Sequence, residues 1–511
     1  MADGAAPSAQ PSAQPSARAP LTKAEIRLVF YGLMLGGFLS AVNQTIVATA
    51  LPTIGRDLGD FSSLSWVIIA YLLSSTVVAP LYGKLSDIHG RRAMMLAALG
   101  LFVAGSAAAA VAPNMAMLIA ARTLQGIGGG GIPPLVQTTV ADMVTPRERG
   151  HYQAYMGTAW VVAGVVGPAL GGIIADRLHW SLIFWLNVPL GLIAALLTMS
   201  SMKRLPRHER PHKLDMPGAA LMTAAAIALL LVLTTGGTRF PWGSPTIFGL
   251  IGACLLLTWL FGLRLARADE PFLPLTVLAN PVMRQGTLAT SCALGVMTGF
   301  MIYLPLYYQL VHKLSATDSG LALIPVVIFT TPGAMMSGRS MMYLRHYKVS
   351  ALAGLSLTIA AVAALVWWPA MPLAGAVVAA GLIGFGVGSV FPIATVSIQN
   401  AVLRHEVGTA TGAMNFFRAL ASALVVAVMG AIVLAGLGVT PERGTGMEVV
   451  VQSVGAADLD VAEVFRKVFA AALAVAVLGF LAVLRLEERP LRGPAAADLP
   501  IAPDAPGAPA E

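Results

Sequence analysis

Residues 83–92 read GKLSDIHGRR, and residues 338–348 read GRSMMYLRHYK. Each begins with glycine at the end of one apolar run and ends with basic residues before the next, as equivalent turns of a duplicated helical unit would. Around both stretches the chain is built for lipid. Of its 511 residues 57% are apolar and 11% are charged, against roughly a quarter charged in ordinary soluble domains. A helix needs about 20 mostly apolar residues to cross a bilayer. Fourteen runs qualify, at 29–51, 64–82, 93–112, 115–141, 151–175, 180–201, 216–235, 246–264, 284–310, 319–339, 349–368, 371–400, 409–436 and 466–486.

The formal charge is +8, which in a soluble chain would suggest nucleic acid. Placing both termini in the cytoplasm leaves only Arg56, Arg177, Arg239, Lys313, Arg443, Arg466 and Lys467 outside, with Arg122 and Arg418 inside spans; every other Lys and Arg of the 32 falls on an inner segment. The positive-inside rule therefore sets the orientation and accounts for the surplus charge, and no nucleic-acid partner is expected. Cys254 and Cys292 both lie in apolar runs, so neither a disulfide framework nor a Cys-rich metal site is available. The first 25 residues carry PSAQPSAQPSA and no apolar core, the composition of a disordered tail rather than a cleavable signal.

The repeat divides the chain. The expected architecture is an all-α integral membrane protein of fourteen transmembrane helices, two six-helix bundles with two helices inserted between them. The boundaries are 1–26 for a cytoplasmic tail, 27–202 for the first bundle, 203–282 for inserted helices seven and eight with their linkers, 283–490 for the second bundle, and 491–511 for a second disordered cytoplasmic tail.

Three stretches carry mechanism. In GKLSDIHGRR, Asp87 can pair with a base or accept from helix N-terminal amides, while Gly83 and Gly90 let backbones approach; with Arg91 and Arg92 they make a charge-assisted latch for one conformation. LIAARTLQGIGGG, residues 118–130, puts Arg122 inside the membrane, at a cost of about 2.5–3.5 kcal/mol on insertion scales that marks a functional candidate. In GTAWVVAGVVGPALGG, residues 157–172, Gly157, Gly164 and Gly171 recur every seven residues. Gly167, Gly171 and Gly172 add small residues for close helix packing, and Pro168 removes a backbone donor. Polar or aromatic residues on spans expected to face a central cavity are Asn43, Gln44, Thr45, Tyr303, Tyr307, Gln309, Gln399, Asn400, Asn415, Phe416 and Arg418, and 23 methionines suit adaptable apolar binding.

These strings resemble motifs A, B and C of the major facilitator superfamily. NQTIVATALP (43–52), WSLIFWLNVPLG (180–191), LPLYYQ (304–309), GVGSVFP (386–392), QNAV (399–402) and GTATGAMNFFRALASAL (408–424) further resemble its fourteen-helix drug:proton antiporters of the EmrB/QacA type. The resemblance implies a multidrug efflux antiporter of the bacterial inner membrane, working by alternating access on hydrophobic small molecules, with protons as the coupling ion and room for a periplasmic adaptor. No cofactor, metal or enzymatic activity is implied.

One departure stands out. Where that family normally carries an acidic residue in the first span, this chain has Asn43, which cannot exchange a proton at physiological pH. All acidic residues and all eight histidines fall in tails, connections or span ends, with Asp142 and Asp87 nearest the inner ends of spans four and two. Counting ~1.5 Å per residue puts Asn43 and Arg122 at similar depth, about 10–12 Å from the outer surface. Without its acidic counter-ion, Arg122 would lean on Asn43, Gln125, Gln44 or carbonyls, and would favour neutral or anionic substrates. Proton coupling would then rest on Asp87, Asp142 or another carboxylate at a span end. The alternatives are uncoupled or differently coupled movement of neutral or anionic amphiphiles or lipids, and a transporter-like sensor or scaffold. No phosphate-binding G-x-x-x-x-G-K-[ST] loop is present for ATP-driven transport.

Overall fold

A computed structural model of the chain describes residues 22–60, 63–202, 214–237, 239–437 and 460–491. Residues 1–21 and 492–511 of the two expected tails, the linker 203–213 and Arg443 lie outside the described residues, while 23–26, expected in the first tail, already belong to the first helix. The described residues are helical almost throughout. The first set comprises α1 (Lys23–Leu58), α2 (Leu64–His89), α3 (Arg91–Ala110), α4 (Met115–Gly129), α5 (Ile132–Met143), α6 (Pro146–Arg177) and α7 (Leu182–Ser201). Then come α8 (Met216–Thr235) and α9 (Pro245–Arg267), a short α10 (Leu275–Ala279), α11 (Pro281–Leu310) and α12 (Ala316–Ala322). The last set is α13 (Ile324–Tyr343), α14 (Lys348–Trp367), α15 (Leu373–Ala401), α16 (Val407–Gly436) and α17 (Val461–Leu484).

Among the described residues, thirteen helical stretches are long and apolar enough to cross a membrane. The remaining expected span, 115–141, is divided between α4 and α5. Pro133 and Pro134 have no N–H to give the carbonyls four residues earlier, so the hydrogen-bond ladder lapses here. The backbone stays right-handed through Gly130 (φ −68°) and Gly131 (φ −78°), and the Gly131 N–H is caught by the Gly128 carbonyl at 3.2 Å. The last span also differs: α17 begins at Val461, so Arg466 and Lys467, expected in the preceding connection, sit in its first turns.

The helices pack as two groups. α1 lies on α6 and α7, α3 on α4 and α7, and α2 on α4; on the other side α13 and α14 lie on α15, and α11 on α15, α16 and α17. The groups meet where α2 runs along α16 and α6 along α13. α8 touches both α2 and α16, and α9 packs on α8, where Arg264 Nε meets Asp215 Oδ1 at 3.0 Å. Asp215 also accepts from the Gly218 N–H at the start of α8. On α9 only Ile247 is buried, as expected of a helix facing lipid on most sides.

The buried cores show where the groups are joined. At the α2–α3 end, Val78, Tyr82, Leu135 and Val136 share one core with Ile398, Ala410, Met414 and Phe416. At the opposite end of the first group, Val42, Ile46, Ile54, Val67, Trp180 and Phe184 form a core with no residue from the second group. The second group keeps a core of its own.

Candidate functional site

The α2–α3 end is held by an ionic cluster across the two groups. The Asp87 carboxylate accepts from the Gly408 N–H at 3.1 Å, the Thr409 N–H at 2.7 Å and the Thr409 hydroxyl at 2.8 Å. Those amides open α16, where the unsatisfied N–H groups and the helix dipole both favour an anion. Arg91 Nη1 lies 2.7 Å from Asp87, and Arg91 Nε lies 2.9 Å from Asp142 at the end of α5. One guanidinium thus ties α3 to α2 and α5, while Asp87 ties all three to α16. Arg92 reaches elsewhere, donating to the Met199 carbonyl on α7 at 2.8 Å.

Two glycines make this contact possible. A Cβ on Gly83 would strike the Gly408 carbonyl oxygen, so only a bare backbone brings α2 this close to α16. Gly90 holds φ +87° between α2 and α3, a conformation that suits glycine and that lets Arg91 turn back on Asp87. Deeper in, Asn415 of α16 donates to Gln137 Oε1 of α5 at 3.0 Å, a second polar tie between the groups. Gln137 carried no motif, and its role was not readable before α5 and α16 were seen together.

Arg122 sits inside the first group, 1% exposed. Its Nε donates to the Val67 carbonyl at 3.1 Å and its Nη1 to Gln125 Oε1 at 2.5 Å. The guanidinium carbon lies 4.3 Å from the centre of the Tyr71 ring and 5.9 Å from that of Phe184. Gln125 Nε2 in turn donates to Asn43 Oδ1 at 3.1 Å and to the Ser106 hydroxyl at 2.7 Å, and Asn187 Nδ2 donates to Asn43 Oδ1 at 3.3 Å. Asn43 and Arg122 are therefore linked through Gln125, not by direct contact. The cation is met by neutral acceptors and aromatic faces, and Asn43 Nδ2 is buried without a partner.

The glycines of α6 divide their work. A Cβ on Gly167 or Gly171 would strike the hydroxyl oxygen of Thr45 or Thr49 on α1. Thr45 also donates to the Ala163 carbonyl at 3.2 Å, so these small residues seat α6 on α1. Gly164 instead faces Val327 of α13 at an ordinary 3.6 Å, and Gly157 and Gly172 face open space. The seven-residue glycine repeat is not one packing face, and Gly172 makes no close approach.

The expected cavity residues scatter. Gln44 is exposed, and Thr45, Tyr303, Gln309 and Arg418 are partly so. Asn43 is fully buried in the network just described, and Tyr307 is fully buried inside the second group. There Tyr307 donates to the Pro369 carbonyl at 2.9 Å and packs edge-on against Phe465 and Phe469. Gln399 and Asn400 are also buried, with Gln399 donating to Thr411 and Asn400 to the Pro490 carbonyl. Asn415 and Phe416 belong to the contact between the groups. Asn43, Tyr307, Gln399, Asn400, Asn415 and Phe416 are thus all buried in this conformation. Sequence position could not separate them, because adjacent residues on a helix point about 100° apart. Arg418 gives Nη2 to Asn415 Oδ1 at 2.6 Å, while its Nε is buried without a partner.

Two helical bundles joined by polar ties at one end, with separate cores elsewhere, define a two-bundle membrane carrier. The chain matches the Major Facilitator Superfamily over residues 33–426 and belongs to that superfamily. It is 32% identical over 413 residues to the multidrug transporter protein MdtP of Bacillus subtilis, covering 80% of this chain and 76% of that one. It is 33% identical over 505 residues to an uncharacterized MFS-type transporter of Mycobacterium tuberculosis, covering 92% and 71%. The human organic anion transporter MFSD10 (TETRAN) shares the fold at TM-score 0.61 and 19% identity, over 90% of this chain and 99% of that one. So does a bacterial homologue of the iron transporter ferroportin in an outward-facing state, at TM-score 0.59 and 13% identity, with the same coverages. The chain is a multi-pass membrane transporter with multidrug and efflux-pump relatives.

Proposed function

We propose that this transporter exports hydrophobic or amphiphilic compounds across a bacterial inner membrane by alternating access, with both termini and the α2–α3 end in the cytoplasm. The observation that carries the reading is the one-sided closure: Asp87 grips the start of α16 while the opposite end of the first bundle keeps its own core. A carrier of this kind must break such a latch once per cycle and remake it. Exporter relatives over most of the chain support the direction of transport.

Proton antiport is the coupling we favour, with the Asp87 and Asp142 pair as the exchanging groups. A proton on Asp87 would remove the charge that Arg91 and the α16 amides are arranged around, and so loosen the latch. Uncoupled or differently coupled transport is the second reading, supported by Asn43 and by the absence of any carboxylate in a span interior among the described residues.

Proteoliposomes holding an internal pH dye, challenged with cationic, neutral and anionic hydrophobic compounds, separate the two. Substrate-triggered proton movement is expected. Flux without a proton signal would replace antiport by the second reading, and ligand binding without flux would replace transport by sensing. The same assay tests the first-span position. Asn43→Asp keeps an oxygen for Gln125 and Asn187 and puts a second carboxylate oxygen in place of Nδ2, inside the network that leads through Gln125 to Arg122. Stronger pH-gradient-driven export is the expected result; an unchanged pH dependence would show that position 43 has no part in coupling.

A further inference from the structure

Between the start of α6 and the α13–α14 turn lies a cavity of about 700 Å³, closed on its third side by the segment that follows α17. Arg147, Arg345, Lys348 and Arg489 line it, against the single carboxylate of Glu488. That carboxylate is already engaged: it accepts from the Lys348 backbone N–H at 2.8 Å and lies 3.1 Å from His346 Nδ1. Lys348 Nζ donates to the carbonyls of Leu484 and Leu486, and Arg489 meets Glu487 at 3.3 Å. Arg147 and Arg345 are exposed and form no ion pair or side-chain hydrogen bond with the described residues.

These two guanidinium groups come from opposite bundles, Arg147 from α6 and Arg345 from the turn after α13. They flank the place where Gly150 and Gly338 bring those helices together: a Cβ on Gly150 would lie 3.1 Å from the Gly338 Cα. At the cavity rim Tyr343 and Leu344 stand 79% and 53% exposed. A guanidinium pair suits a phosphate ester, and an aromatic and an aliphatic side chain at a helix end suit the membrane interface.

We propose that this cavity binds the headgroup of an anionic phospholipid, its phosphate between Arg147 and Arg345 and its acyl chains along Tyr343 and Leu344. A free inorganic anion could use the cations but would gain nothing from the apolar rim. The size suits a headgroup, since small-molecule sites commonly run to about 300–1,000 Å³. A lipid so placed touches both bundles at the closed end, so it favours the state in which α6 and α13 are together.

The test is a thermal-unfolding titration of the purified full-length transporter in detergent, using dihexanoyl phosphatidylglycerol as probe, with dihexanoyl phosphatidylcholine and inorganic phosphate alongside. The wild type is expected to show a saturable rise in Tm with phosphatidylglycerol alone. Arg147→Gln/Arg345→Gln should weaken that response about tenfold or more, given the strength of charge-assisted contacts to phosphate. Arg267→Gln, which removes an exposed base outside the cavity, should leave it unchanged. An equal response to phosphatidylcholine, an undiminished response in the double variant, or the same loss in Arg267→Gln would overturn the site. A phosphate response matching that of phosphatidylglycerol and lost in the double variant would assign the cavity to a free anion and overturn the lipid. If the double variant does not fold, Arg345→Gln alone carries the comparison with the same expected direction.

Discussion

Asp87→Asn is expected to abolish substrate flux and to open the α2–α3 end of the transporter. In the closed state this carboxylate accepts from two backbone amides and a hydroxyl of α16 and pairs with Arg91. Hydrogen bonds to a charged group contribute about 1.5–3 kcal/mol each, and removing one partner of a buried pair costs about 3–5 kcal/mol. Asparagine keeps one acceptor but turns an NH₂ group toward Arg91 and the amides, which are all donors. Even the low end of that range shifts an equilibrium by more than about a hundredfold, so the variant should rest with the latch open. Ala79, 5% exposed beside Gly412 at the α2–α16 contact, reports this directly. In an Ala79→Cys background, alkylation should be slow with Asp87 present and at least about tenfold faster with Asn, a smaller change than the equilibrium shift allows. Slow alkylation and retained flux in the Asn variant would show that the cluster does not govern closure.

The second large effect is expected at Arg122. Arg122→Met removes the charge while keeping most of the volume, and should reduce flux to below about a tenth of wild type, a loss of more than about 1.4 kcal/mol in the transport barrier. Faulty insertion would not explain that loss, because removing an intramembrane arginine relieves about 2.5–3.5 kcal/mol on insertion scales. What is lost is the connection: Arg122 joins the Val67 carbonyl on α2 to Gln125 on α4, which leads on to Asn43 on α1 and Ser106 on α3. Arg122→Lys keeps the charge but not the two-armed reach, so it should recover flux only in part. Flux in the Met variant equal to wild type, with the protein correctly inserted, would make Arg122 a packing residue.

The spans were legible because lipid imposes length and apolar content on every crossing segment. The latch was legible in part: Asp87 and Arg91 in GKLSDIHGRR promised a charge cluster, but nothing in that string names α16, some 320 residues away, as the partner. Depth counting brought Asn43 and Arg122 to one level, and Gln125, which lies one turn from Arg122, supplies the link. Two readings met one difficulty, the loss of facial information in uniformly apolar helices. Gly157, Gly164 and Gly171 looked like a stripe, yet it is Gly167 and Gly171 that seat on α1. Tyr307 looked available to a ligand and is locked among Phe465, Phe469 and Pro369. The division of the fourth crossing was not legible from proline alone, because Pro80 and Pro168 sit inside continuous helices; the break falls where Pro133 and Pro134 follow the glycine run 128–131.

The inserted pair has a mechanical meaning of its own. α8 rests on α2 and on α16 at once, the two helices that the Asp87 latch holds together. A cycle that parts α2 from α16 must strip α8 from one of them or drag it along, and α9 goes with α8 through Arg264 and Asp215. Phe248, Leu255 and Trp259 of α9 stand exposed to the surrounding hydrocarbon. In such a cycle the bilayer would be geared to the stroke of the carrier, and its viscosity would load the moving part.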